Sequence, residues 1–200
     1  ALSFLGAIIL LPVFIIVSVL IYIDDPGPVF FKQKRIGKNK KIFWLHKFRS
    51  MKMNTPDIPT HLLDNPEQYI TRVGRVLRLL SIDELPQIYD ILLGRMAIIG
   101  PRPALWNQYD LIAERDKYGA NDIKPGLTGW AQINGRDELP IDIKATFDGE
   151  YTEKLNAGGF TAFTMDLKCF FGTITKVLKH EGVVEGGATN DVKEKEVVHK

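Results

Sequence analysis

One apolar run constrains this chain more than any other feature. Residues 4–23 are apolar except for Ser18, and no charge appears until Asp24. A helix of about 20 such residues is long enough to cross a hydrocarbon core. The run is too long for a secretory signal, and no small-residue cleavage site follows it. Pro12 falls in its middle. A proline inside a helix removes a hydrogen bond and costs roughly 3 kcal/mol. Two arrangements follow. A kinked helix can still span, or the helix bends at Pro12, enters one leaflet and returns. Each half would then have about 11 residues, or roughly 16 Å, enough for half a bilayer. The residues alone slightly favour spanning. The chain opens at Ala1 rather than Met, which reads as a trimmed or fragmentary N-terminus.

Asp24-Asp25-Pro26-Gly27-Pro28 ends the run. Residues 29–31 and 41–45 read as two strands joined by a hairpin loop over 36–40. Lys32, Lys34, Arg35, Lys38, Lys40, Lys41, Lys47, Arg49 and Lys52 crowd behind the apolar segment. The positive-inside rule puts them on the cytoplasmic side. They would also attract anionic headgroups, with Phe43, Trp44 and Phe48 at the interface. Taken singly, most of these cations are solvated surface residues. The formal charge of the whole chain is only +2, so nothing global suggests nucleic acid. The single cysteine, Cys169, excludes a disulfide framework and reads as a packed small hydrophobe. No Cys/His cluster has zinc spacing.

The chemistry concentrates in residues 81–103. Ser81-Ile82-Asp83-Glu84-Leu85-Pro86-Gln87 leads into a short apolar helix that carries Ile88, Ile91 and Leu92 inward and stops at Gly94. Pro86 suits a first helical turn and keeps Leu85 out of one. Asp83 and Glu84 then sit at the positive end of that helix. Pro101 and Pro103 stiffen the backbone around Arg102, whose planar fork is permanently charged. Two acids and an aimed arginine suit phosphoryl transfer with a divalent cation. Ser81 and Glu84 also have the spacing of a capping box, which needs no chemistry. The two readings are compatible.

Further motifs lie on either side: Lys47-Phe48-Arg49-Ser50-Met51 before, and the segment 124–135 (KPGLTGWAQING) followed by Arg136 after. Glycines 126, 129 and 135 imply that backbone closely approaches itself or a ligand. Helical spacing marks residues 69–80, 104–118, 140–151 and the stripe Leu167, Phe170, Phe171, Ile174, Val177, Leu178. Residues 156–159 read as a loop. That stripe is core packing or membrane-surface contact. Residues 191–200 are charged, without aromatics, and read as a disordered tail.

In order and through nearly the whole chain, SIDELPQ, IGPRP, KFRSM, the 124–136 segment and the ending 182–189 resemble the bacterial sugar transferases, the monotopic phosphoglycosyl transferases. There are departures. Leu11 stands where the family often has Ser, and Gly94-Arg95-Met96-Ala97 replaces a common Gly-Asp-Met-Ser. The spacing from Tyr151 to Asp166 looks longer than the family's. The resemblance implies an α+β protein: an N-terminal re-entrant membrane helix over 1–23, a compact, mostly helical catalytic domain with a small β-hairpin over 24–190, and the tail. It implies transfer of a sugar-1-phosphate from a UDP-sugar to a polyprenyl (undecaprenyl) phosphate, with release of UMP. This would be the first membrane step of surface glycan assembly, at the cytoplasmic face of the bacterial inner membrane. In the implied mechanism Asp83 is the covalent nucleophile. Glu84, with Asp83, holds Mg²⁺, and Arg102 and Arg78 neutralise developing charge. Lys47, Arg49, Pro101, Gln132, Arg136 and Asp166 are implied substrate contacts, with Trp130 and Asn134 near them. Pro12 is the membrane bend. Membrane lipids are implied partners, and a homo-oligomer is compatible. Glycerol-phosphate transfer to the same lipid, or a non-catalytic membrane-anchored scaffold that retains the fold, are the other readings.

Overall fold

The computed structural model describes residues 2–56, 63, 65–135 and 139–179. The apolar run forms one helix, α1 (Leu2–Asp24), with Pro12 inside it. Its inner face carries Val13, Phe14, Val17 and Ile21, which pack with Phe48, Leu77, Val73, Ile82 and Leu85. The contact extends towards the N-terminus, where a Cβ on Gly6 would come 3.2 Å from Ile88. The opposite face is bare: Ile9 is 66% exposed and Ile23 72%. Among the described residues, no helix is long and apolar enough to cross a membrane. The two aspartates after the run do more than break it. Asp24 accepts from the Val73 amide (2.8 Å), and Asp25 accepts from Arg49 (2.7 Å) and the Met53 amide (2.9 Å). These bonds fix the exit of α1 to the body.

Strands β1 (Phe30–Ile36) and β2 (Ile42–Phe48) form an antiparallel hairpin, with Phe30 opposite Phe48 and Ile36 opposite Ile42. Both run further than their apolar residues indicated. A solvated face lets Lys32 and Lys34 continue β1, while Lys47 continues β2 on the other face, turned to Glu84. Phe48, expected at a membrane interface, is instead 1% exposed and stacks with Phe14 and Phe30 at 5.1 and 5.3 Å. Trp44 does lie outside.

Helix α2 (Arg72–Leu79) is shorter than its periodicity implied. Thr71 caps it, accepting from the Gly74 amide at 2.8 Å, and Ile70 bridges to Met51 instead. Helix α3 (Gln87–Leu92) follows Pro86. It buries Gln87 and Asp90, while Leu92, expected inside, is exposed. Strand β3 (Ala97–Ile99) pairs in parallel with β4 (Gly126–Thr128). These three-residue strands are too short to leave a pattern in the sequence. Their closeness explains two glycines. A Cβ on Gly126 would lie 2.1 Å from the Gly100 nitrogen, so here backbone approaches backbone.

Helix α4 (Tyr109–Asp116) occupies part of the 104–118 segment. Helices α5 (Trp130–Ile133), α6 (Ile141–Ala157) and α7 (Gly159–Lys179) complete the described chain. Residues 152–157 are thus helix, and only Gly158, at φ 68°, interrupts α6 and α7. Tyr151, Met165 and Cys169 form the core between them, joined by Ile99, Ile123 and Leu155. Cys169 is fully buried, as a small hydrophobe would be. The fold is α+β and mostly helical, with one antiparallel hairpin. The tail 191–200 and the motif 182–189 lie outside the described residues.

Candidate active site

Asp83 and Glu84 occupy a single 3₁₀ turn, Ile82–Glu84. Ser81 enters it with left-handed backbone angles (φ 56°, ψ 21°), and its side chain caps nothing. The capping box therefore does not form. A non-glycine residue in that conformation costs energy, a kind of strain that concentrates at functional sites. The turn is held between α2 and β2.

Glu84 is 8% exposed and fully engaged. Lys47, from β2, donates to its Oε1 at 2.9 Å. Arg102 forks onto both oxygens, Nη2 to Oε1 at 2.6 Å and Nη1 to Oε2 at 3.2 Å. Burial alone would raise the Glu84 carboxyl, but Arg102 and Lys47 overcome it and hold the group well below the usual range. Asp83 behaves oppositely. Burial raises its carboxyl, Glu84 adds to this, and Lys47, Arg78 and Arg102 oppose it. Neighbouring acids thus differ sharply: one is a fixed anion, the other a more basic carboxylate facing cations. Lys47 is itself lowered, first by burial, with Glu84 acting against that.

Arg78, on α2, donates Nε to the Ser50 hydroxyl at 2.9 Å, joining the Lys47–Met51 motif to the turn. Arg49 is not aimed at this site. It is 8% exposed and bound to Asp25, through the side chain and the Asp25 carbonyl. Pro101 and Pro103 flank Arg102, and Arg115 donates to the Arg102 carbonyl at 2.9 Å. Asp166 accepts from the Tyr151 hydroxyl at 2.9 Å, and the same hydroxyl reaches the Ile99 carbonyl at 3.2 Å. Asp166 therefore supports the strand leading to Arg102. Trp130 donates to Glu150 at 2.7 Å, and Asn134 to the Trp130 carbonyl at 2.7 Å. Gln132 lines a cleft shared with Arg102. Arg136 lies outside the described residues.

Several contributors were not legible in the sequence. His46 meets the fully buried Asp90, Nδ1 to Oδ1 at 3.0 Å and its amide to Oδ2 at 2.9 Å. This ties β2, and hence Lys47, to α3. Arg95 approaches the same carboxylate at 3.4 Å, so the base in the Gly-Arg-Met-Ala departure has an acidic neighbour. Partners 44 residues apart leave no local signal.

Among the described residues, no three His, Cys, Asp or Glu side chains group into a metal cage. Of the two acids expected to hold Mg²⁺, Glu84 has both oxygens bonded to Lys47 or Arg102, so Asp83 is the more available to an ion that usually takes one or two carboxylates plus substrate phosphates and water.

Residues 1–180 match the family described as bacterial sugar transferase. The chain is 41% identical over 157 residues to a protein of Bacillus subtilis (strain 168) described as the uncharacterized sugar transferase EpsL, covering 78% of this chain and 73% of that one. It is 39% identical over 184 residues to the UDP-N-acetylgalactosamine-undecaprenyl-phosphate N-acetylgalactosaminephosphotransferase of Aeromonas hydrophila, covering 87% and 42%. It is 37% identical over 174 residues to the UDP-glucose:undecaprenyl-phosphate glucose-1-phosphate transferase of Escherichia coli (strain K12), covering 82% and 36%. The chain spans less than half the length of the latter two. With that match across most of its length, the chain belongs to the bacterial sugar transferase family.

Proposed function

We propose that this chain transfers a sugar-1-phosphate from a UDP-sugar to a polyprenyl phosphate, the acceptor being undecaprenyl phosphate as in the relatives' names. The observation that carries this is the split pair in one turn: Glu84 fixed by Lys47 and Arg102, and Asp83 left as the more basic carboxylate. An Asp83 oxygen attacks the phosphorus that bears the sugar. The bond from that phosphorus to the bridging diphosphate oxygen breaks, and UMP leaves with that oxygen. An oxygen of the lipid phosphate then attacks the same phosphorus, and the Asp83 carboxylate is released unchanged. Arg102 and Arg78 offset the charge that develops, and Lys47 keeps Glu84 in place. Asp83 and Glu84 would hold Mg²⁺, which when bound screens the diphosphate from the carboxylates. Release of UMP from a panel of UDP-sugars, dependent on added polyprenyl phosphate for continued turnover, tests the reaction. A scaffold without activity would release none.

Two further outcomes are expected. Excess EDTA should abolish turnover, and added Mg²⁺ should restore it; full turnover in EDTA would remove the metal from the reading. The nucleophile must be ionised, and burial holds Asp83 above its ordinary value of 3.8. Without bound metal the Asp83 carboxyl should therefore titrate above the ordinary aspartate range, measured by NMR in EDTA, and added Mg²⁺ should pull it down. A metal-free value at or below 3.8 would remove the raised carboxylate from the reading.

The same reading places the protein at the inner membrane with its catalytic body on the cytoplasmic face. The bare face of α1, including Ile9, Leu11, Ile16 and Ile23, has the exposure of a lipid-facing surface. Because α1 packs on the body from Gly6 to Ile21, it does not stand clear as a free span would. This supports a helix that stays on one side of the membrane; the re-entrant bend at Pro12 belongs to the proposal.

A further inference from the structure

We propose that the cleft Arg102 shares with the active site binds the UMP half of the donor, and that Gln132 reads the base. This rests on the donor being a UDP-sugar. Arg102 holds Glu84 with its fork and also lines this cleft, whereas Asp83 and Glu84 do not line it. The cleft therefore begins where the bond to the leaving group would break. Arg35, Arg115 and Lys144 also line it, and among the described lining residues none is acidic. Arg115 is balanced by Asp148 behind it. Arg35 is braced, with Nη1 donating to the Pro103 carbonyl at 2.8 Å and Nε to Gln33 at 3.0 Å. Such a surface attracts a phosphate, and Lys144 and Arg102 are the cations we assign to it.

The remaining lining is different in character. Ala104, Leu111 and Ala131 also line the cleft, each below 5% exposed, and make part of its wall apolar. In the same lining the Gln132 amide has both its oxygen and its nitrogen buried and without a hydrogen-bond partner. An unsatisfied buried amide is costly, and native folds rarely retain one without a reason. A carboxamide presents one donor beside one acceptor. The uracil edge presents N3–H beside a carbonyl, so the two pair whichever way the amide is turned. Cations, apolar side chains and an orphaned amide in the one cleft that Arg102 lines match the chemical groups of UMP.

The test is binding to the full chain in detergent, with UMP and ribose 5-phosphate as probes. Gln132→Leu keeps the shape and removes only unpartnered polar atoms, so its Tm should equal or exceed the parent's. Its Kd for UMP should rise roughly tenfold or more, the loss of two hydrogen bonds. Its Kd for ribose 5-phosphate, which has no base, should not change. Lys144→Ala should weaken both probes together. UMP bound equally by Gln132→Leu and parent, or both probes weakened equally by that change, would overturn the assignment. If the parent fails to bind UMP while transfer from the UDP-sugar proceeds, the cleft proposal falls and the reaction stands. If UMP binds through Gln132 but no transfer occurs, the reaction falls and the cleft stands.

Discussion

Asp83→Asn is expected to lower turnover roughly 10³-fold or more while the protein stays folded. The substitution keeps size and most hydrogen bonding but removes the attacking oxygen anion. Stability should not suffer. Burial raises the Asp83 carboxyl above its unfolded value. A raised acid stabilises the fold below its unfolded pKa, and that stabilisation is lost as pH rises through the folded value. At neutral pH the ionised side chain is therefore a burden on the fold, and a neutral amide relieves it. A collapse in rate with equal or greater stability separates a nucleophile from a structural acid. Parent protein mixed with UDP-sugar alone should gain the mass of one sugar phosphate, and Asp83→Asn should gain none. An adduct on Glu84 would exchange the roles of the two acids. If no adduct forms, and kinetics require both substrates bound at once, direct displacement replaces the two-step route.

That assignment shows how far the sequence reaches. Two adjacent acids before a proline, and an arginine between prolines, are local patterns, and each prepares its own residues through backbone stiffness. The division of labour between the acids is not local. Glu84 becomes a fixed anion only because Lys47, 37 residues earlier, and Arg102, 18 residues later, converge on it. Neither spacing has a periodicity that a reader could detect; the resemblance to a family pointed to Lys47, not the residues' own pattern. The same resemblance placed Arg49 among substrate contacts, whereas the geometry gives it to Asp25. Ser81 and Glu84 have capping spacing, but the left-handed backbone at Ser81 directs the turn elsewhere, and only coordinates reveal that angle. The hairpin was legible because its turn and apolar residues are contiguous. The β3–β4 ladder was not, since it rests on glycines 26 residues apart whose function is to let backbones touch.

A buried ion pair behind the site should prove almost as sensitive as the nucleophile. Arg115 is 4% exposed and Asp148 fully buried, and Nε donates to Oδ2 at 2.7 Å. Arg115→Met should destabilise the protein by roughly 3–5 kcal/mol, because it strands a buried carboxylate. The direction with pH follows from Asp148, which burial pushes up while Arg115 pulls it back. Without the arginine the folded value rises further. The stabilisation such a group gives is present in acid and lost as pH climbs through that value, so the variant's deficit should be smallest in acid and widen towards neutrality. Arg115→Met combined with Asp148→Leu removes both charges and should recover most of the stability, measured by denaturant unfolding. Activity should not return with it. Arg115 also donates to the Arg102 carbonyl at 2.9 Å, and the prolines on either side transmit any slack there to the guanidinium that holds Glu84. A stable double variant with parental turnover would confine the pair to holding the fold; a stable double variant with depressed kcat makes Arg115 a positioning residue for Arg102.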